Sequence, residues 1–368
     1  MNHGRLMSLV LACIPLALPI RLGASTIYQI TDLGVLAGGS VSSATSISSS
    51  GLVAGYGDTS SATSEPFLWS SGVGLSGLNV GSALALGRGV NTSGKVVGYQ
   101  LSADLSTTYA FSANGAGTAL IPTLGGANNL ATAINDSDTV VGYSDTADGS
   151  QIAFSYHGAT LSSLGLLPGG TTSAAYAINA SGVIAGQADA ADGSFHAVVS
   201  NGGVWTDLGV PFGYASSGAT AIAGSGRVAG TLTNELGATM GFVWTPSEPT
   251  GMTLLGALTP GGDSQAYGVN SSGLVVGTSD GVAFLFDANG IENLNTLLDP
   301  KSSGWELESA TAINDLGQIV GTGYYDDALH GFLLEPVTSP VPEPAGATSA
   351  SAGRRLPCWR RGPRKERS

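Results

Sequence analysis

Seven glycines, at positions 55, 98, 142, 186, 230, 277 and 321, recur at intervals of 43, 44, 44, 44, 47 and 44 residues. Each closes the same phrase, clearest as Ala131–Gly142 and Ala310–Gly321. A run of small residues ends in Ile-Asn, a tight turn carries a Gly, and a short apolar segment ends in Gly. A period this regular means one supersecondary unit repeated, so the length of 368 residues says nothing about domain number.

Each unit reads as four short strands. The first strands are Ser43–Ile47, Ala85–Val90, Ala131–Asn135, Ala175–Asn179, Ala219–Ala223, Ala266–Asn270 and Ala310–Asn314. An Asn-x-x-Gly turn follows, in which Asn bonds back to the chain and Gly takes a positive φ. Copy three has Asp138 at the Gly position, a residue that tolerates that backbone. A Val/Ile strand comes next, and a third strand built on Phe67, Phe111, Phe154, Val198, Phe242, Phe284 or Phe332. A fourth is expected to end near Leu124-Gly125, Leu164-Gly165, Leu208-Gly209 and Leu255-Gly256, with paired glycines often following.

Four strands in about 44 residues is the signature of a propeller blade. The last copy stops after its third strand, near Glu335, while Tyr28–Leu33 at the other end matches a fourth strand. The expectation is therefore an all-β, seven-bladed β-propeller over 25–336, its ring closed by the N-terminal strand. An open β-solenoid is the alternative, although a solenoid needs caps rather than a split unit.

The two ends differ from this body. Residues 1–24, with Arg5, the apolar run Leu6–Ile20 and Leu22-Gly23-Ala24, read as a secretory signal peptide. A membrane anchor and a lipoprotein signal at Cys13 are the other readings of this segment. Residues 25–336 carry four cations (Arg88, Lys95, Arg227 and Lys301) against 24 acidic residues, a net charge of −20. Such a surface repels phosphate backbones and argues against nucleic acid as a partner. Cys13 and Cys358 both lie outside the body, which excludes an internal disulfide or thiolate metal site within it.

The hairpin and third strand resemble the HAF-repeat family of bacterial extracellular proteins. His196-Ala197-Val198 and His330-Gly331-Phe332 are the nearest matches to its His-Ala-Phe strand. The tail 337–368, expected to be disordered, holds Val341-Pro342-Glu343-Pro344 and six arginines. It resembles the PEP-CTERM sorting signal, which implies export in a Gram-negative bacterium and an exosortase as partner. Between motif and arginines, Ala345–Gly353 falls short of the roughly 20 apolar residues of a membrane span.

Chemistry is sparse. The first strands, expected to line the axis, hold one charge, Arg88, and neither carboxylate nor His. His157, His196 and His330, each in or beside a third strand, read as strand-end surface or packing residues. Asp145, Asp148, Asp189 and Asp192 recur in the same loop of consecutive copies and are the candidates for calcium, which takes carboxylate and carbonyl oxygens. Asp-Gly turns explain the same residues. These loops, with Asp263 and Asn128-Asn129, form the expected binding face. The function expected is that of a secreted, monomeric, non-enzymatic repeat protein binding polysaccharide or surface proteins in the envelope or extracellular matrix. The alternative is an extracellular carbohydrate-active hydrolase or lyase on a propeller scaffold.

Overall fold

The computed structural model describes residues 26–61 and 63–337. Among them, seven four-stranded antiparallel sheets surround a common axis as a seven-bladed β-propeller. Strand β1 (Ile27–Asp32) opens the chain. Blade 1 is β2 (Ser42–Ile47), β3 (Val53–Asp58), β4 (Ser64–Ser70) and β5 (Gly74–Gly77). Blade 2 is β6 (Ala85–Val90), β7 (Val96–Leu101), β8 (Thr108–Asn114) and β9 (Gly117–Leu120). Blade 3 is β10 (Gly125–Ile134), β11 (Val140–Thr146), β12 (Gln151–His157) and β13 (Thr160–Ser163). Blade 4 is β14 (Ser173–Ile178), β15 (Ile184–Asp189), β16 (Phe195–Asn201) and β17 (Val204–Asp207). Blade 5 is β18 (Ser216–Ile222), β19 (Val228–Thr233), β20 (Thr239–Thr245) and β21 (Glu248–Leu254). Blade 6 is β22 (Ser264–Val269), β23 (Val275–Ser279), β24 (Val282–Asp287) and β25 (Gly290–Asn293). Blade 7 adds β26 (Trp305–Ile313), β27 (Ile319–Tyr325) and β28 (Ala328–Val337).

The fourth strand of blade 7 is β1, antiparallel to β28 with Tyr28 opposite Pro336 and Asp32 opposite Phe332. The two ends of the repeat array thus share one sheet, and the open-solenoid alternative is overturned. The signal-peptide and sorting-tail readings lie outside the described residues, residue 337 excepted.

Every inner pair of strands carries a bulge at the same place, and those of blades 3 and 7 carry a second irregularity nearer the start of the strand. In blade 3, Ala131 faces Gly142 and Ala133 faces Val141, which leaves Thr132 as the extra residue. The bulge draws the inner strand over the closing glycine. A Cβ on Gly142 would stand 1.9 Å from Leu130 O, and one on Gly321 2.0 Å from Ser309 O. No side chain fits there, which is the physical reason for the sevenfold glycine. On the next strand the Phe ring covers that glycine. At Gly321 the virtual Cβ lies 2.6 Å from Phe332 Cζ.

These rings are the core. Phe67, Phe111, Phe154, Phe242, Phe284 and Phe332 are fully buried, with Val198 in the same place in blade 4. Each packs into the preceding blade: Phe332 with Val276 and Leu285 of blade 6, Phe67 with Val320 and Leu333 of blade 7. Burying each ring stabilises the ring of blades by roughly 1.5–3 kcal/mol.

Polar side chains tie the blades as well. Ser173 Oγ donates to Gly165 O at 2.7 Å and accepts from Ala153 N at 2.9 Å, joining blade 4 to blade 3. Ser217 and Ser264 repeat this one and two blades on, and Ser42 repeats it across the closure. The turn asparagines do two jobs. Asn135 Oδ1 accepts from Ser137 N and Thr139 N, as expected for the turn, while its Nδ2 donates to Asn179 O of the next blade.

One strand assignment is corrected. The fourth strand of blade 2 ends at Leu120, and Leu124-Gly125 leads into blade 3. Ile121 fills the buried aliphatic position, its N–H donating to Ala110 O at 2.9 Å as Leu164 N–H does to Ala153 O. The position selects an apolar side chain and a backbone donor, and Ile followed by Pro meets it without the Leu-Gly spelling.

Candidate binding sites

The bulge decides what faces the axis. The extra residue of each inner strand is Thr45, Arg88, Thr132, Tyr176, Thr220, Tyr267 or Thr311. Together these seven line an axial cavity of about 390 Å³. Each Thr hydroxyl reaches a carbonyl of the next inner strand: Thr45 to Gly87 O, Thr132 to Ala175 O, Thr220 to Ala266 O and Thr311 to Ala44 O, at 2.7–2.8 Å. The long side chains stand on alternate blades, each between two threonines. Tyr267 OH donates to Gln265 Oε1 at 2.5 Å. Burial pushes the Tyr176 phenol above its ordinary range, and neighbouring Tyr143 adds to this. The two rings meet edge to face at 6.4 Å. The lining contains no carboxylate or imidazole, so it holds no pair for general acid–base work near neutral pH.

The loops of the expected binding face hold their acids by internal bonds. Asp189 accepts from Thr171 N and Thr172 N at 2.6–2.9 Å, and from both threonine hydroxyls. Burial raises the Asp189 carboxyl, but the Thr172 and Thr171 donors outweigh it and hold the group below its usual range. Asp145 accepts from Asn128 Nδ2 at 2.8 Å. Asp148 caps its own turn through the Thr146 hydroxyl and Ser150 N, and Asp192 does so through Ser194. Asn129 is fully buried, bonded to Ala110 N and Ile121 O, and Asp263 accepts from Thr239 N. Among the described residues no three His, Cys, Asp or Glu side chains converge as a metal-sized group. The paired glycines explain the acids further. A Cβ on Gly170 would meet Asp189 O at 2.1 Å, and one on Gly39 would meet Asp58 O at the same distance.

His196 and His330 occupy equivalent places, and each faces an Asp of the fourth strand. His196 Nδ1 lies 2.9 Å from Asp207, and His330 Nδ1 lies 3.0 Å from Asp32. The pairs occur as units. Where His is replaced, by Glu65, Tyr109, Ile152, Met240 or Val282, the Asp is replaced too, by Gly77, Leu120, Ser163, Leu254 or Asn293. In blade 4, Ser194 Oγ stands 2.9 Å from His196 Nε2. This Ser–His–Asp chain was invisible in the sequence because its members come from three positions with no motif spacing. The Ser194 hydroxyl also bonds Asp192 at 2.6 Å, an acceptor that competes with the imidazole for its proton.

The closure creates a second cavity. Gln29, Ile30 and Asp32 of β1 face Asp299, Lys301, Ser302 and Ser303 of the loop before β26, across a groove of about 340 Å³ that Trp305 and Tyr325 also line. The two rings stack at 5.0 Å and 18°, and the Trp305 edge meets Phe332. Blade 7 alone among the described blades has this loop and this aromatic pair. The sequence signal was the departure of Leu297–Trp305 from the repeat.

No protein-family model and no curated relative matches the chain. Solved structures do. The β-propeller domain of the Trilobed protease from Pyrococcus furiosus, with its open velcro topology, matches at TM-score 0.51 and 8% identity, over 84% of this chain and 95% of that one. YCF48 bound to a D1 peptide matches at TM-score 0.49 and 13% identity, over 87% of this chain and all of that one. At 8% identity the likeness to the Trilobed protease domain shows the propeller fold alone.

Proposed function

We propose that this chain is a ligand-binding propeller of the bacterial envelope or extracellular matrix, with polysaccharide as its ligand and no reaction of its own. The observation that carries this reading is the closure groove. A stacked Trp305–Tyr325 pair beside Gln29, Asp32, Asp299 and Lys301 offers apolar ring surface for a sugar face and planar polar groups for its hydroxyls. The axial lining, free of carboxylate and imidazole, supports binding over catalysis. Export, the HAF resemblance and the sorting tail fit the same reading and stand as part of the proposal.

The test is a glycan array probed with the full-length protein, repeated with Trp305→Ala. The expected result is a defined set of polysaccharide hits that the variant loses by at least about tenfold. Unchanged binding by the variant would overturn the groove, and an array with no hits would overturn polysaccharide as the ligand. The second reading is hydrolysis, favoured only by the Ser194–His196–Asp207 chain. Turnover of an array hit that Ser194→Ala abolishes would establish it in place of the first.

A further inference from the structure

The axial cavity poses a separate question, independent of the closure groove. Arg88 is one of four cations in a body of net charge −20. Lys95, by contrast, is bonded to Asp138 at 2.6 Å. Arg88 is exposed, and among the described residues no hydrogen bond or salt bridge reaches its guanidinium. Its position is fixed: it is the bulged residue of β6, and the bulge delivers its side chain to the axis. Thr45 and Thr132 on either side are short, which leaves the guanidinium room in the cavity.

The rest of the lining defines what that guanidinium would meet. The four Thr hydroxyls spend their protons on carbonyls, so they offer lone pairs to an incoming donor. Tyr176 and Tyr267 add ring surface and phenol oxygens. The cavity therefore combines one forked cationic donor, a ring of acceptors and two aromatic rings in a volume at the small-molecule end of the binding-pocket range, about 300–1,000 Å³. A planar fork matches a carboxylate through two parallel hydrogen bonds. Acceptors around it match hydroxyl donors. Arg88 is also felt by its neighbours: burial raises the Tyr143 phenol, and the Arg88 charge opposes that rise.

We propose that the axial cavity is a binding site for a carboxylate-bearing, hydroxyl-rich small molecule or chain end, a sugar acid, with Arg88 holding the carboxylate and the threonine ring holding the hydroxyls. No atom is transferred.

The test uses isothermal titration of the full-length protein with glucuronate, glucose and acetate as probes. Glucuronate is expected to bind, with glucose and acetate each at least about tenfold weaker. Arg88→Gln is expected to lose glucuronate binding by at least about tenfold, and Arg88→Lys, which keeps charge but not the fork, to lose less. Trp305→Ala should leave it unchanged, which separates this site from the groove. Both Arg88 variants should melt as the parent does, since the guanidinium has no bonded partner to lose. Equal affinity for glucose, equal affinity for acetate, undiminished binding by Arg88→Gln, or no heat at about 10 mM glucuronate would each overturn the proposal.

Discussion

Asn314 Nδ2 donates to Ser48 O at 3.1 Å, across 266 residues of sequence, and so bolts the last inner hairpin to the first. Asn91, Asn135, Asn179 and Asn270 make the same bond to the blade after theirs. Asn314→Ala removes this bond, a second one that Nδ2 donates to Gln318 Oε1, and the two turn bonds that Leu316 N and Gln318 N donate to Oδ1. The expected cost is about 1–3 kcal/mol. Thermal unfolding of the variant beside Asn135→Ala checks it, and similar losses at both sites would mean that closure is no weaker than any other blade junction.

Two glycines four residues apart separate conformation from space. Gly317 takes φ +77°, and its virtual Cβ has Pro336 Cγ as its nearest neighbour, at 3.5 Å. Gly317→Ala should cost about 1–2 kcal/mol of backbone strain. Gly321→Ala drives a Cβ onto Ser309 O and the Phe332 ring, and should cost about 3 kcal/mol or more. Denaturant midpoints rank the two, and a Gly321→Ala chain as stable as Gly317→Ala would contradict the packing account.

Acid should weaken the loops that join blades. Asp58 is held below its usual range by the Val41 and Ser40 donors, and Asp189 by the Thr172 and Thr171 donors against burial. A depressed folded-state pKa contributes stability that is fully present above the ordinary carboxylate value of about 4 and is lost as pH falls through the lower folded value. Melting temperature should therefore hold above about pH 4 and drop below it. Asp189→Asn should melt lower at pH 7 and show a shallower drop.

Removing β1 should open the ring. A chain beginning at Leu36 leaves β28 as an unpaired edge and uncovers the pocket filled by Tyr28, which is fully buried with Phe332 and Leu334. Loss of cooperative melting and self-association by light scattering are expected. A synthetic peptide of residues 26–34 should restore the melt by adding the missing strand.

Much of this was legible in the sequence. Blade number, strand type, closure by Tyr28–Leu33 and the turn role of Asn-x-x-Gly followed from period and turn chemistry, which are local. The axial charge was legible as Arg88 too. The clasp serines 42, 173, 217 and 264 were not, because a Ser two residues before a strand Ala looks like any other until its partner is known. The Leu124-Gly125 assignment failed because a dipeptide was matched where the fold selects only burial and a backbone donor. Of the calcium candidates, Asp148 and Asp192 lie in the turns between second and third strands, whereas Asp145 and Asp189 belong to the ends of β11 and β15, because those strands run longer than the turn signals indicate. Their hydrogen bonds to threonine, serine and asparagine needed the structure.

The repeat by itself determined the architecture, since a 44-residue period of turn and strand signals admits few ways to bury its apolar faces. Tertiary structure decided which residues meet. It turned one residue of each Ala-x-Ala-Ile-Asn phrase into the axial lining through a bulge. It set Gln29 and Asp32 beside Trp305 by joining the chain ends. Both sites join residues from separate blades or opposite ends of the repeat array, and a distance set by ring closure is not written in any local stretch of the chain.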